Sequence, residues 1–271
     1  MIPLTPRARL LAAAALAAAA WVAGCAPQRV MVPELTPAPR RARFEAALAA
    51  RSARSVAEAE LNAWPSGTAL PQLPGVQARL LLVGPDAFRL RVASLFGTAL
   101  DMAARGDSFT AYVPPRRVAL ETGAARESLG ISDPGGLGYR MWSATWRPPD
   151  AAWNDAIWED SLLVLRWTEA EDSVRFAIGS TGLPRWIEMG RGREPGARAE
   201  YQSWARVEGV AWPAVLSVAD PRGQYGLRCH VTSVQFRRSA DRSRLAVEVP
   251  DQAAHITREQ LKRAIARLGK L

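Results

Sequence analysis

The stretch that decides the fold runs from Phe88 to Val113 and reads FRLRVASLFGTALDMAARGDSFTAYV. Apolar residues alternate with polar or small ones in three consecutive segments, which is the pattern of strands with one buried face. Gly106 and Asp107 form a turn between the second segment and the third. We therefore predict three consecutive antiparallel strands. Leu95 and Phe96 lie in the link between the first two, although such tips are usually polar.

The same alternation continues through the C-terminal half of the chain. Turns rich in glycine, proline and aspartate separate short alternating runs there, which predicts an antiparallel meander. Pro213 indicates a bulge or a sheet edge within its strand. The strands predicted after the opening stretch are residues 116–120, 162–167, 174–178, 185–189, 198–207, 211–219, 225–236 and 245–249.

Residues 55–64 admit two interpretations. The sequence AEAEL within them has helical propensity, whereas pairing with residues 76–83 across a turn rich in proline and glycine would make them a strand. We favour the strand.

Three helices are predicted around these strands. The first covers residues 40–54, where apolar residues and Arg51 recur at helical spacing. A short middle helix starts after the N-cap residue Asp133 and runs to Ser143 despite three glycines. A closing helix over residues 257–268 begins with a capping box. The pattern predicts one α+β domain, in which a long antiparallel sheet packs one face on a few helices.

The N-terminus has the features of a targeting segment. Arg7 and Arg9 precede an uninterrupted apolar run, residues 10–22, which is too short to span a membrane. The run ends in VAGC, and this order of charge, apolar core, small residues and cysteine resembles the lipobox of bacterial lipoproteins. The resemblance implies that residues 1–24 are a signal peptide and that Cys25 carries the lipid.

This assignment sets the expected organisation of the chain. Residues 25–39 comprise the lipidated cysteine and a proline-rich tether, and residues 40–271 form the single domain. Two or three acyl chains anchor a protein stably to a membrane. Ala26 follows the cysteine, which favours the outer membrane over the inner one.

The chain lacks a recognisable catalytic or metal-binding constellation. His230 and His255 are the only histidines, and neither has a second ligand at metal-binding spacing. There is no nucleophile elbow and no phosphate-binding Gly-Lys-Ser/Thr loop. The net charge of +9 is spread along the strands without a basic stripe. We therefore expect no enzyme activity, cofactor, metal ion or nucleic-acid partner.

Cysteine and tryptophan usage predicts core packing. Cys229 has no partner once Cys25 is lipidated, so we expect a buried free thiol. We expect aromatic packing against the sheet from one group of residues, with ligand stacking as the alternative. That group is Trp142, Trp146, Trp153 and Trp158.

The order of these segments resembles the LolA/LolB-like superfamily of bacterial lipoprotein-sorting proteins. The resemblance is most specific at Leu95-Phe96-Gly97, which matches a hairpin tip with a protruding leucine in the LolB-like members. Phe96 takes the place of that leucine. The Gly106-Asp107 turn also matches, and a later signature is similar at Trp204, Gly209, Trp212 and Pro213.

The resemblance implies a fold and a function. The fold would be an unclosed, strongly curved antiparallel β-barrel with a few helices over an apolar concave face. The protein would bind acyl chains of lipoproteins in this cavity and help to insert them into the outer membrane, with Leu95 and Phe96 entering the bilayer. Sequence does not separate cavity residues from plain core. The candidates are Leu80, Leu82, Phe88, Leu90, Val92, Leu100, Met102, Phe109, Met141 and Trp142.

The partners implied are the acyl chains of lipoproteins or other lipids, the outer membrane, and a soluble LolA-like carrier, and we expect a monomer. Two alternatives stay open. The protein could carry another lipid or a glycolipid, or it could be a non-catalytic accessory lipoprotein of an envelope complex. An accessory protein would fill the cavity with its own side chains.

Overall fold

The fold is described from a computed structural model. It describes residues 37–67, 75–94, 97–125, 133–169, 171–191, 196–258, 260, 261 and 263. Cys25 and the tip residues Leu95 and Phe96 lie outside the described residues. The part from Pro37 onward is one compact unit. Within the described part, no helix is long and apolar enough to cross a membrane.

Within the described ranges, fourteen strands form a single sheet that does not close. Neighbouring strands pair antiparallel, apart from the parallel pair of β14 with β6. The spatial order is β14-β6-β5-β4-β3-β2-β1-β13-β12-β11-β10-β9-β8-β7, so β14 and β7 are the two edges. The strands are β1 (Val56–Ser66), β2 (Val76–Val83), β3 (Ala87–Ser94), β4 (Gly97–Arg105), β5 (Ser108–Val113), β6 (Val118–Thr122), β7 (Ile157–Glu159), β8 (Leu162–Glu169), β9 (Asp172–Ile178), β10 (Pro184–Arg191), β11 (Ala197–Val207), β12 (Val210–Ala219), β13 (Gly226–Arg237) and β14 (Ala254–His255).

The opening stretch forms three consecutive antiparallel strands, β3 to β5, as predicted. Leu90 pairs with Met102, and Met102 pairs with Ala111 across the next ladder. Residues 55–64 also form a strand, because Val56 pairs with Val83 and the ladder continues along β2. The fold class predicted from the sequence is therefore confirmed.

Three α-helices of the described part accompany the sheet. They are α1 (Pro37–Ser52), α2 (Pro134–Ser143) and α3 (Asp150–Asn154). The predicted cap of α2 is present, because the Asp133 carboxylate accepts a hydrogen bond from the Gly136 amide at 2.9 Å. The capping box of the closing helix is present too, with the Thr257 amide donating to Gln260 Oε1 at 2.8 Å. The short helix α3 was not predicted.

One face of the sheet carries the core. Alternate residues of the strands point to this concave face, as in Leu80, Leu82 and Leu90, and each of these is at most 5% exposed. Phe44 and Leu48 of α1 pack against the same face. The two-residue period of the strands and the 3.6-residue period of the helix thus meet in one apolar layer.

The opposite, convex face is mostly polar. Arg89 and Asp101 form an ion pair there, with an N to O distance of 2.6 Å, and the Arg91 guanidinium joins it at 3.2 Å. A small apolar cluster also lies on this face, beneath Leu245.

The predicted strand over residues 245–249 is wrong. Arg242–Leu245 form a 3₁₀ turn instead, in which the Asp241 carboxylate accepts from the Ser243 amide at 2.9 Å. Leu245 packs onto Val56 and Leu81 on the convex face. The strands beneath it already have a partner on each side, so the segment meets no free edge.

The position of Pro213 in β12 accommodates a proline, because a bulge lies beside it and it is not part of the ladder with β13. The register of β11 against β12 shifts next to the pair of Trp204 with Pro213. Pairing of β12 with β13 starts only at Val215, so the nitrogen of Pro213 removes no hydrogen bond from that ladder.

Two glycines let α2 approach the sheet closely. A Cβ on Gly135 would collide with the Asp86 carbonyl oxygen and the Gly106 amide, and a Cβ on Gly138 would collide with the Phe88 ring. The glycines that weaken α2 by propensity are therefore what allows it to dock.

We expect Gly135→Ala to destabilise the fold by about 1–3 kcal/mol, because the added methyl group forces backbone apart. Urea unfolding measures the change. Gly123→Ala is the matched control, since a Cβ there meets no atom of the described residues within 4 Å. Equal midpoints for the two variants would contradict the close approach.

Candidate functional site

The concave face and the helices over it form the candidate site. Phe44 of α1 lies between two other elements, with its ring centroid 5.6 Å from Trp153 of α3 and 5.7 Å from Phe176 of β9. Trp142 of α2 joins the same cluster. The helices thus cover the interior of the curved sheet.

The structure places the ten predicted cavity residues in two neighbouring clusters on this face. The main cluster buries Leu80, Leu82, Phe88, Leu90 and Trp142, and Met141 packs against it. Leu100 lies in a second cluster near the C-terminal end of the described chain, with Leu261. The residues that contact both clusters are Val92, Met102 and Phe109. All ten therefore share one apolar interior.

A cleft of about 830 Å³ opens beside the C-terminal end of α1. Its walls combine aromatic rings with ionic groups, as is common where a protein holds an amphiphilic molecule. The residues that line the cleft include Ser52, Tyr139, Arg140, Trp146, Trp167 and Glu169.

A chain of polar contacts fixes the inner wall of this cleft. The Trp146 indole donates to the Tyr201 hydroxyl at 2.9 Å, and that hydroxyl donates to the Met141 carbonyl at 3.0 Å. Burial raises the pKa of Tyr201, so its phenol stays protonated. The Arg140 guanidinium lies 5.1 Å from the Trp146 ring centroid and pairs with Glu169 at 2.9 Å.

Arg51 is the most unusual polar residue of the interior. Its side chain is 0% exposed, and none of its three guanidinium nitrogens has a hydrogen-bond partner among the residues that the structure describes. Its Cζ lies 5.1 Å from the Trp204 ring centroid. Burial lowers the pKa of Arg51 to about 10, so the group is still charged at neutral pH.

Arg40 lies on the same helix and is also buried, but it has partners. Its Nη1 donates to the Ser161 carbonyl at 2.9 Å, and its guanidinium lies 4.3 Å from the Trp158 ring centroid. Arg40 therefore joins α1 to the edge of the sheet, whereas Arg51 makes no such bond.

The other residues singled out in the sequence behave mostly as core. Trp142, Trp146 and Trp153 are buried, and Trp158 is 40% exposed beneath Arg40. Cys229 is a buried free thiol, as predicted, and burial raises its pKa to about 12.

The two histidines do not form a metal site. His230 packs against Trp64 with ring centroids 5.1 Å apart, and His255 lies 3.6 Å from a Glu121 carboxylate oxygen. In the described ranges, no group of His, Cys, Asp and Glu is arranged to hold a metal ion.

The flanks of the predicted tip are described, although Leu95 and Phe96 themselves are not. Ser94 ends β3 and pairs with Gly97 at the start of β4, so the connection between the two strands is these two residues. A Cβ on Gly97, at the start of β4, would meet no described atom within 4 Å.

Comparison with known proteins identifies the fold. No family model matches the sequence, and no curated protein matches it. The fold is that of LolA superfamily proteins. A solved LolA superfamily protein from Nitrosomonas europaea superposes with a TM-score of 0.55 at 10% identity, covering 77% of this chain and 97% of its own.

A domain assigned to outer-membrane lipoprotein sorting, from Vibrio parahaemolyticus, gives a TM-score of 0.48 at 10% identity. That alignment covers 74% of this chain and 97% of the domain. The likeness concerns the backbone, because one residue in ten is shared.

The sequence did not predict that Arg51 is fully buried and has no hydrogen-bond partner among the described residues. The residue occupies a position on the apolar stripe of α1, three residues after Leu48 and seven after Phe44, and this placement was visible in the sequence. The signal is a charged residue on a buried helical face without a carboxylate at helical spacing on that face.

We expect Arg51→Met to raise the stability of the ligand-free chain by about 1–3 kcal/mol, since an unpartnered buried charge is removed while side-chain volume is kept. Arg40→Met is the matched control and should lower stability, because it removes hydrogen bonds to main-chain carbonyls. Thermal unfolding at pH 7 distinguishes the two signs. A lower melting temperature for both variants would show that Arg51 has partners in solution.

We expect the Cys229 thiol to resist a disulfide reagent such as Ellman's reagent at pH 8 in the folded chain and to react fully in 6 M guanidinium. Its exposure is 1% and its thiolate is disfavoured. Because the unfolded thiol ionises near pH 9 and the folded one near 12, its contribution to stability falls as the pH rises between these values. Rapid labelling of the native chain would contradict the packing of β13 on the core.

Proposed function

We propose that this protein is a periplasmic lipoprotein, anchored to the outer membrane, that binds acyl chains of other lipoproteins and helps to insert them into that membrane. The observation that carries the proposal is the apolar concave face of an unclosed sheet, covered by helices. Such a face can hold an acyl chain without covalent chemistry, so the proposal needs no catalytic residue.

The hydrophobic effect supplies the driving force. Each buried methylene group contributes about 0.8 kcal/mol, so a chain of a dozen contributes about 10 kcal/mol. The candidate cavity residues pack against one another and against α1 and α2, a filled interior that the accessory alternative also predicts. A bound chain would replace those contacts, and the cleft beside α1 is the place where entry would begin.

Membrane attachment follows in this proposal from Cys25. Residues 1–24 are removed, Cys25 carries the lipid, and residues 25–39 tether the domain of residues 40–271 to the outer membrane on its periplasmic side. The fold it shares with a LolA superfamily protein supports a place in lipoprotein sorting, with a soluble LolA-like carrier as the donor of cargo.

We expect the chain to bind an acyl lipid in addition to its own anchor. Native mass spectrometry of the chain from Ala26 onward, which lacks the anchor, should show extra mass that matches an acyl lipid and disappears on delipidation. A clean mass with no uptake of offered lipoprotein or lipid would favour the accessory-subunit alternative. Uptake of free lipid or glycolipid but not of lipoprotein would favour the alternative that the protein carries another lipid or a glycolipid.

We expect Phe96→Glu to reduce delivery of bound lipoprotein into vesicles at least tenfold while binding of cargo is retained. A carboxylate at the tip opposes entry into the hydrocarbon region, where an ionised side chain costs several kcal/mol. Phe96→Leu is the control that keeps the tip apolar. Unchanged delivery by Phe96→Glu would exclude the tip from the mechanism.

A further inference from the structure

The charge of Arg51 has no counterpart among the described residues. Its guanidinium carries five N–H donors, and no acceptor in the described part of the chain takes any of them. The next arginine along the chain, Arg54, does have an acid near it, since Glu208 lies 3.8 Å away. A fully buried cation without an acceptor is unfavourable, so a protein retains one where something else supplies the acceptor.

The surroundings of Arg51 offer more donors rather than acceptors. The Trp204 indole, over which Arg51 lies, has its own buried Nε1–H without a partner. The hydroxyl proton of Tyr201 is directed to the Met141 carbonyl, and its oxygen already accepts from Trp146. Two donor groups without a partner, on Arg51 and Trp204, therefore lie on neighbouring side chains of the described interior.

The position of Arg51 suits a ligand that has both a polar end and an apolar chain. Ser52, the next residue of α1, lines the cleft of about 830 Å³, whereas Arg51 itself is buried and is not part of that lining. Phe44 and Leu48 precede Arg51 on the same buried face and belong to the main apolar cluster. A polar group at Arg51 would thus lie at the cleft end of the helix, and a chain would extend along the apolar face.

We propose that Arg51 and Trp204 bind the anionic oxygen group, a phosphate or a carboxylate, of an amphiphilic lipid whose chain occupies the concave face. A planar guanidinium presents paired N–H groups that match two oxygens of either anion, and the indole N–H adds a third donor. The inference rests on the proposed function, because it assumes that acyl chains enter the interior. It adds that the cargo carries negative charge beside its chain.

The test compares three probes with one chain length and different heads, namely dodecyl phosphate, dodecanoate and neutral dodecanol. The protein is the mature chain from residue 25 onward with Cys25→Ser, so that no anchor competes. Displacement of the neutral apolar dye Nile red reports binding. We expect the better of the two anionic probes to bind at least tenfold more tightly than dodecanol, and this ranking also separates phosphate from carboxylate.

The variants assign the effect to the site. Arg51→Met should abolish the tenfold preference while dodecanol still binds, and Trp204→Phe should reduce the preference a few-fold by removing one donor. Arg54→Met is the control for general surface charge and should keep the preference, since Arg54 pairs with Glu208 instead.

Three outcomes would overturn the inference, and they differ in what they say about the proposed function. Equal binding of all three probes by the native chain would refute the anion site and leave the acyl-chain cavity standing. A preference that persists in Arg51→Met would place the anion elsewhere. Failure of all three probes to bind would refute both the anion site and the cavity.

Discussion

The structure depends on the burial of one concave apolar face. Fourteen strands share a single sheet, and most of them turn alternate side chains to the same side, where α1, α2 and α3 cover them. Neither the sheet nor any helix could bury its apolar residues alone. Phe44 shows the dependence most directly, because its ring packs on both α3 and β9.

Close approach at a few points holds the helices on this face. Gly135 and Gly138 bring α2 within contact of the turn before β3 and of Phe88. Arg40 ties α1 to the edge region through main-chain carbonyls. These contacts are specific, whereas the apolar layer beneath them is not, since many apolar side chains of similar volume would fill it. The proposed binding of acyl chains would use this combination of a fixed frame and an adaptable lining.

Under the proposed function, Arg51 lowers the stability of the fold and contributes to binding in the same interior. A methionine there would satisfy the fold better, because the interior provides no acceptor for the guanidinium. Residues retained against the stability of the fold are often those on which function depends. Under the proposed function, Arg51 would receive the anionic end of an amphiphilic cargo held on the concave face.

The sequence by itself determined the antiparallel sheet, the ends of α2 and the start of the closing helix. Those features are local, since alternation, Asp133 and the Thr257 capping box act within a few residues. It could not determine that residues 245–249 find no edge, because edges exist only after all strands have paired. It placed Arg51 on the buried stripe of α1, but only the tertiary structure decided that no acceptor faces it. Burial and pairing depend on the elements packed around a residue. Around Arg51 these include β11, which is far away in the chain.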